Sequence, residues 1–247
     1  MIKTIAFDGD DTLWHHENFF AQGRDDFRDI MRDYTDRKGV RDWVDNVHIK
    51  NLGLFGYGVK SFTLSMIETA IEITDGAITA DDIQRLLEIG KEMLKHPIIL
   101  LEGVEKTVKT LCQSGDYRLM IITKGDLLAQ EDKVARSRLA DHFDHIEIVS
   151  EKNPTVYKGI FKHHKIDPAS VLMIGNSIKS DILPVIQNGG QAIHIPYHTT
   201  WKFEKAELGK TEREQFLILE SMSKLMDVIH WLEADPERQV TEFPHRE

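Results

Sequence analysis

One cysteine, Cys112, is all the thiol that this chain of 247 residues contains. No intramolecular disulfide can form, which excludes a disulfide-stapled scaffold and points to a reducing compartment. Positive charge is also short: 31 lysines and arginines stand against 41 aspartates and glutamates, a formal net charge of −10. Nucleic-acid partners favour a basic face, so none is expected, although a local cluster of donors can still hold a small anion. Long apolar runs are missing. No stretch approaches the roughly 20 apolar residues of a membrane span, so no membrane partner is expected. The opening residues, MIKTIAFDGDD, meet acid too soon for a secretory signal peptide. A cytoplasmic location follows as the expectation. There is no internal repeat and no low-complexity tract. What is present, 41% hydrophobic and 29% charged residues, suits a globular chain, and 247 residues are enough for one large domain or for one domain plus a smaller one.

Two regimes divide the chain. IKTIAF (residues 2–7) reads as a short buried strand ending at Asp8. From about Trp14 to His96 the pattern turns helical, with FFAQGRDDFRDIMRDY, SFTLSMIETAIEI and ADDIQRLLEIGKEML each spacing apolar residues three or four apart. NLGLFGYGVKS, rich in glycine and aromatics, reads as a loop. Beyond HPII, helices (103–113, 128–141, 155–164, 179–187) alternate with strands YRLMIIT, HIEIVS, SVLMIG and QAIHIP. That alternation predicts an α/β domain, its doubly wound, mostly parallel sheet covered on both faces, with ligands outside the C-terminal strand ends. FLILES is a candidate further strand and MSKLMDVIHWLEAD a last helix. Residues 1–14 and 98–235 are thus expected to form the core. Residues 15–97 are too long for a connection and are expected to form a helical cap. Residues 236–247 read as a loose tail.

The strand ends carry the chemistry. The first delivers Asp8 and Asp10, the second Thr123 and Lys124, the third leads to Glu151 and Lys152, and the fourth to Asn176, Ser177 and Asp181. Carboxylates, a hydroxyl and lysines on one rim suit phosphoryl transfer. In an extended chain Asp8 and Asp10 share a face, where two carboxylates repel unless one is protonated or a cation lies between them. Mg²⁺ satisfies the second condition, since it takes oxygen ligands and few protein carboxylates. One carboxylate can then attack phosphorus while its neighbour moves protons, with Lys152 and Thr123 on the phosphoryl oxygens.

DGDDTL after a strand, Thr123 ending the next, Lys152 later and GNSIKSD after another strand resemble the four motifs of the haloacid dehalogenase superfamily, in order over residues 1–196. The resemblance implies Asp8 as nucleophile and Asp10 as general acid/base. It implies Thr123 and Lys152 as phosphate holders; Lys124, next to Thr123, reads as a candidate substrate contact or as an ordinary loop lysine. Asp8, Asp10 and Asp181 are implied around Mg²⁺, with Asn176 a further candidate. Two departures stand out: Gly175-Asn176 where many relatives read Gly-Asp, and EKNPTVY at the lysine, which leaves Lys158 as a second candidate there.

Blander readings compete at several positions. An EF-hand loop fails because Leu13 and Phe19 stand where glycine and glutamate are needed. Asp11 reads as a turn residue and Asp126 as a helix cap. The pairs His15-His16 and His163-His164 lack zinc-site spacing and read as polar faces. His194 and His198 fit a structural role as well as a place at the site border. Lys60, in the glycine-rich stretch, is a candidate anion contact. The function expected is a phosphatase acting on a small phosphorylated metabolite. A mutase, phosphonatase or dehalogenase on the same scaffold, or a non-enzymatic receiver-like domain, are the alternatives. Asp10 argues against the dehalogenase, which has no proton to give a halide.

Overall fold

Among the described residues six short strands form one sheet: β1 (Thr4–Phe7), β2 (Arg118–Lys124), β3 (His145–Val149), β4 (Val171–Gly175), β5 (Gln191–His194) and β6 (Leu217–Ile218). In this computed structural model, which describes all residues except 37, 200, 202–203, 205–208, 210–212, 236 and 245–247, they pair in the order β3-β2-β1-β4-β5-β6. Every pairing is parallel. The order reverses between β1 and β4, so their carboxyl ends flank the crevice where doubly wound sheets bind ligands.

Alternation along the strands sorts the core into two layers. Ile5, Phe7, Leu119, Ile121, Leu172, Ile174 and Ile193 point to one face, packed by α5 (Val104–Ser114), α6 (Leu127–Ser137) and the last helix, α9 (Leu225–Glu233). Ala6, Met120, Ile122, Val171, Met173 and Ala192 point to the other, packed by α7 (Pro154–His163) and by Ile182 and Val185. Apolar residues on both faces are what a parallel sheet between helical layers requires.

The chain divides into two compact units: Met1–His15, Ile98–Lys124 and Gln130–Glu247 in the first, His16–Pro97 with Gly125–Ala129 in the second. The second holds α1 (Glu17–Met31), α2 (Val40–Phe55), α3 (Val59–Ile73) and α4 (Ala80–Lys95). Phe20, Phe27, Val44, Phe62, Met66 and Leu86 form its core. Among the described residues no helix is long and apolar enough to cross a membrane.

Four local expectations are corrected. The stretch 51–61 is not a loop: α2 runs through Phe55, and only Gly56 to Gly58 separate it from α3. Its buried face includes His48 and Asn51, so apolar spacing alone did not reveal a helix. The helix expected over 128–141 stops at Ser137, where Arg138 takes φ 60° and a 3₁₀ turn follows. Residues 179–187 are a π-helical turn (Ile178–Ile182) followed by the short α8 (Leu183–Ile186). The tail is anchored in its described part, since Val240 is buried and its N–H bonds the Gln191 side chain at 2.7 Å.

Candidate active site

Asp8 is the first residue beyond β1, tied to β4 by its N–H to the Ile174 carbonyl at 2.9 Å. Its carboxylate is buried, with Oδ1 2.5 Å from Lys152 Nζ and Oδ2 accepting from the Thr12 hydroxyl at 3.1 Å. The same ammonium reaches Asp181 Oδ1 at 2.6 Å. Lys152, Asp8 and Asp181 are 4%, 6% and 1% exposed, so their interactions are poorly screened. Burial disfavours the Lys152 charge, but Asp181 and Asp8 outweigh it and hold its pKa well above the ordinary lysine value. One ammonium cannot satisfy two carboxylates. Burial, followed by Asp181, therefore pushes the Asp8 carboxyl up to about 7 against the pull of Lys152. The Tyr157 hydroxyl, buried nearby, has no hydrogen-bond partner among the described residues.

Asp181 reaches this position through a close backbone approach. A Cβ on Gly175 would lie 2.4 Å from the Asp181 Cβ, so only glycine lets the π-helical turn fold back on the end of β4. The Ser177 N–H donates to Asp181 Oδ2 at 2.9 Å, and the Ser177 hydroxyl accepts from the Ser180 N–H. Asn176 Oδ1 lies 3.4 Å from the Thr12 hydroxyl. The Asn176 carbonyl faces His194 Nε2 at 2.9 Å. A carbonyl only accepts, so Nε2 carries the hydrogen, and burial holds the imidazole pKa down.

Asp10 goes elsewhere. The strand ends at Phe7 and the chain turns, with Asp11 at φ 61°, so the face-sharing expected of an extended segment is lost. Asp10 accepts from the Trp14 indole at 2.6 Å and ion-pairs with Lys133 Nζ at 2.8 Å, with Gln130 Nε2 at 3.3 Å. Gln130 also donates to Thr123 Oγ1 at 2.6 Å. Each aspartate thus has its own lysine. Gln130 and Lys133 escape sequence reasoning; their only signal is an i, i+3 spacing on the helix that follows Thr123.

The remaining candidates separate. Lys124 bonds Glu204 Oε1 at 2.7 Å and Ser180 Oγ at 3.1 Å, with Glu151 at 3.4 Å. Lys158 is exposed on α7, while Lys152 is buried at Asp8. Lys60 pairs with Asp126 at 2.8 Å within the helical unit, and Asp126 caps α6 by accepting from the Ala129 N–H. His15 bonds Tyr197 and His164 bonds Glu147, which are structural contacts. Among the described residues no three His, Cys, Asp or Glu side chains gather as a metal cluster. Asp8 and Asp181 share one ammonium, and the Asn176 amide oxygen reaches the same Thr12 hydroxyl as Asp8, so oxygen donors with an uncompensated charge gather there. Such a set fits Mg²⁺, which takes one or two carboxylates and fills its shell with water and phosphate.

A family model described as haloacid dehalogenase-like hydrolase matches residues 2–189. A glyceraldehyde 3-phosphate phosphatase of Methanothermobacter thermautotrophicus is 24% identical over 93% of this chain and 100% of its own length. That of Pyrococcus furiosus is 28% identical over 51% of this chain, which spans about half (53%) of that relative. A crystal structure of a haloacid dehalogenase-like family hydrolase from Xanthomonas campestris superposes with a TM-score of 0.82 at 38% identity, covering 94% of this chain and 92% of that one. With its motifs at the β1/β4 crevice and this match over most of its length, the chain belongs to the haloacid dehalogenase-like hydrolases.

Proposed function

We propose that the chain is a Mg²⁺-dependent phosphatase that hydrolyses a small phosphate monoester through an aspartyl-phosphate on Asp8. The observation that carries this reading is the buried Asp8–Lys152–Asp181 triad beside a second aspartate, Asp10, held by separate partners. The phosphatase names of curated relatives support the direction. An Asp8 oxygen attacks phosphorus and the ester P–O bond breaks, with Asp10 giving a proton to the departing oxygen. Water then attacks the aspartyl-phosphate. Asp10 takes the water's proton, the P–O bond to Asp8 breaks and inorganic phosphate leaves. Lys152 and Thr123 hold the phosphoryl oxygens as their charge shifts. Mg²⁺, held by Asp8, Asp181, the Asp10 carbonyl and Asn176, would supply the positive charge that lets a phosphate approach two carboxylates. The helical unit acts as the cap that selects the substrate.

An aryl phosphate tests the assignment. Asp8→Asn removes the nucleophile and forms no phosphoenzyme. Asp10→Asn turns over about 10²–10⁴-fold more slowly, in line with lost acid–base help. Because an aryl oxide needs little protonation to leave, Asp10→Asn gives a burst of phenol and accumulates phosphate on Asp8, read by mass spectrometry. Phosphate trapped on any other residue overturns the assignment. Full activity after exhaustive chelation removes the metal from the reading.

A further inference from the structure

A second anion-binding cradle adjoins the triad. Three donors converge on the Glu204 carboxylate: Lys124 Nζ at 2.7 Å on Oε1, and the Ser177 and Ser180 hydroxyls at 2.6 and 2.5 Å on Oε2. Both serines are buried and the Lys124 side chain is 11% exposed. Glu204 stays ionised, since Lys124 and the hydroxyls outweigh the burial that would raise its pKa. The cradle is built from the site itself. Lys124 follows Thr123, Ser177 precedes and Ser180 lies within the turn that carries Asp181, and the Ser177 N–H donates to the Asp181 carboxylate.

We propose that Lys124, Ser177 and Ser180 form a subsite for the distal carboxylate of a phosphorylated short-chain acid, and that Glu204 fills it when substrate is absent. The proposal rests on the phosphatase reading and names the substrate class. Charge balance favours it. Lys124 already faces Glu151 and Glu204, so an incoming carboxylate that replaces Glu204 meets the electrostatics that the chain now tolerates. The donor set suits that ligand: one ammonium and two hydroxyls match the acceptor oxygens of a carboxylate. An intramolecular occupant lowers apparent affinity by the fraction of time the subsite is open, so roughly 90% occupancy costs about tenfold.

Two measurements on the full chain test it. The first compares kcat/KM for 2-phosphoglycolate and for the uncharged-tail comparator 2-hydroxyethyl phosphate. Glu204→Gln raises the ratio in favour of the carboxylate ester about tenfold, and adding Lys124→Met abolishes that gain. The second is calorimetric binding of 2-phosphoglycolate to Asp8→Asn, which needs no turnover; Glu204→Gln tightens it by a similar factor. Thermal unfolding of each variant verifies folding. If neither ester is hydrolysed but binding tightens, the phosphatase reading falls and the subsite stands. If the esters are hydrolysed but neither the ratio nor the binding moves, or both esters weaken in parallel, Glu204 is an anchor for its own segment and the proposal is overturned. Failure of hydrolysis together with unmoved binding overturns both.

Discussion

Lys152 is charged because it stands between two carboxylates, and they stay buried because it is charged. Removing one partner of such a group leaves charge with neither water nor counter-ion, at a cost of about 3–5 kcal/mol. Lys152→Met is therefore expected to lower unfolding stability by that order in metal-free buffer, as read by urea denaturation; an unchanged midpoint would show that the triad is not coupled. His48 offers a second residue-scale test. It packs between Phe20 and Phe62 in the helical unit, and burial, helped by the nearby Arg24 charge, lowers its pKa to about 4. Between pH 6.5 and 4 the unfolded chain binds a proton that the folded imidazole refuses, so stability falls as pH drops through that window. Linkage sets the loss at up to about 3 kcal/mol. Glu17, raised by burial, acts in the opposite sense, so the informative quantity is the difference between wild type and His48→Gln. Denaturation midpoints at pH 7.5 and 4.5 should separate less in the variant; an equal separation would assign the slope to other groups.

Elements meet at distances that the side chains enforce. Gly90 on α4 lies against α3 so closely that a Cβ there would stand 2.1 Å from Thr63 Oγ1, whose hydroxyl bonds the Val59 carbonyl. Alanine at 90 gains about 1 kcal/mol of helix propensity, whereas overpacking costs about 1–3 kcal/mol. Gly90→Ala should thus be net destabilising, and Thr63→Ala added to it should restore part of the loss; a stabilised Gly90→Ala would mean that the helices separate freely. The elements that sequence periodicity revealed are those with a simple core face. Strands such as IAF and VLMIG are apolar on both sides, and the α4 segment shows a regular stripe. Where burial is polar the signal fails, as with His48 and Asn51 on α2. The same limit applies at the site. Asp8, Lys152 and Asp181 announce themselves by their positions after strands, but Lys133, Gln130 and Glu204 reach it through tertiary folding from segments with no motif.

Across the whole molecule the net charge of −10 sets how metal binding must be measured. Any divalent cation screens the self-repulsion of so acidic a chain, so added Mg²⁺ stabilises it somewhat whether or not a site exists. A specific site adds a saturable contribution. Binding to the folded state alone contributes about 2.7 kcal/mol when Mg²⁺ is at one hundred times its Kd. For a chain of this length that corresponds to a rise in Tm of roughly 5–10 °C. Asp181→Asn keeps most of the global charge while removing one of the two carboxylates that share Lys152. It should therefore retain the gradual, salt-like part of the response, which matched ionic strength in NaCl reproduces, and lose the saturable part. Chelator should reverse the wild-type shift. If wild type and Asp181→Asn rise together along the NaCl curve, the cation is acting on the whole surface and the oxygen set at the end of β1 and β4 holds no metal.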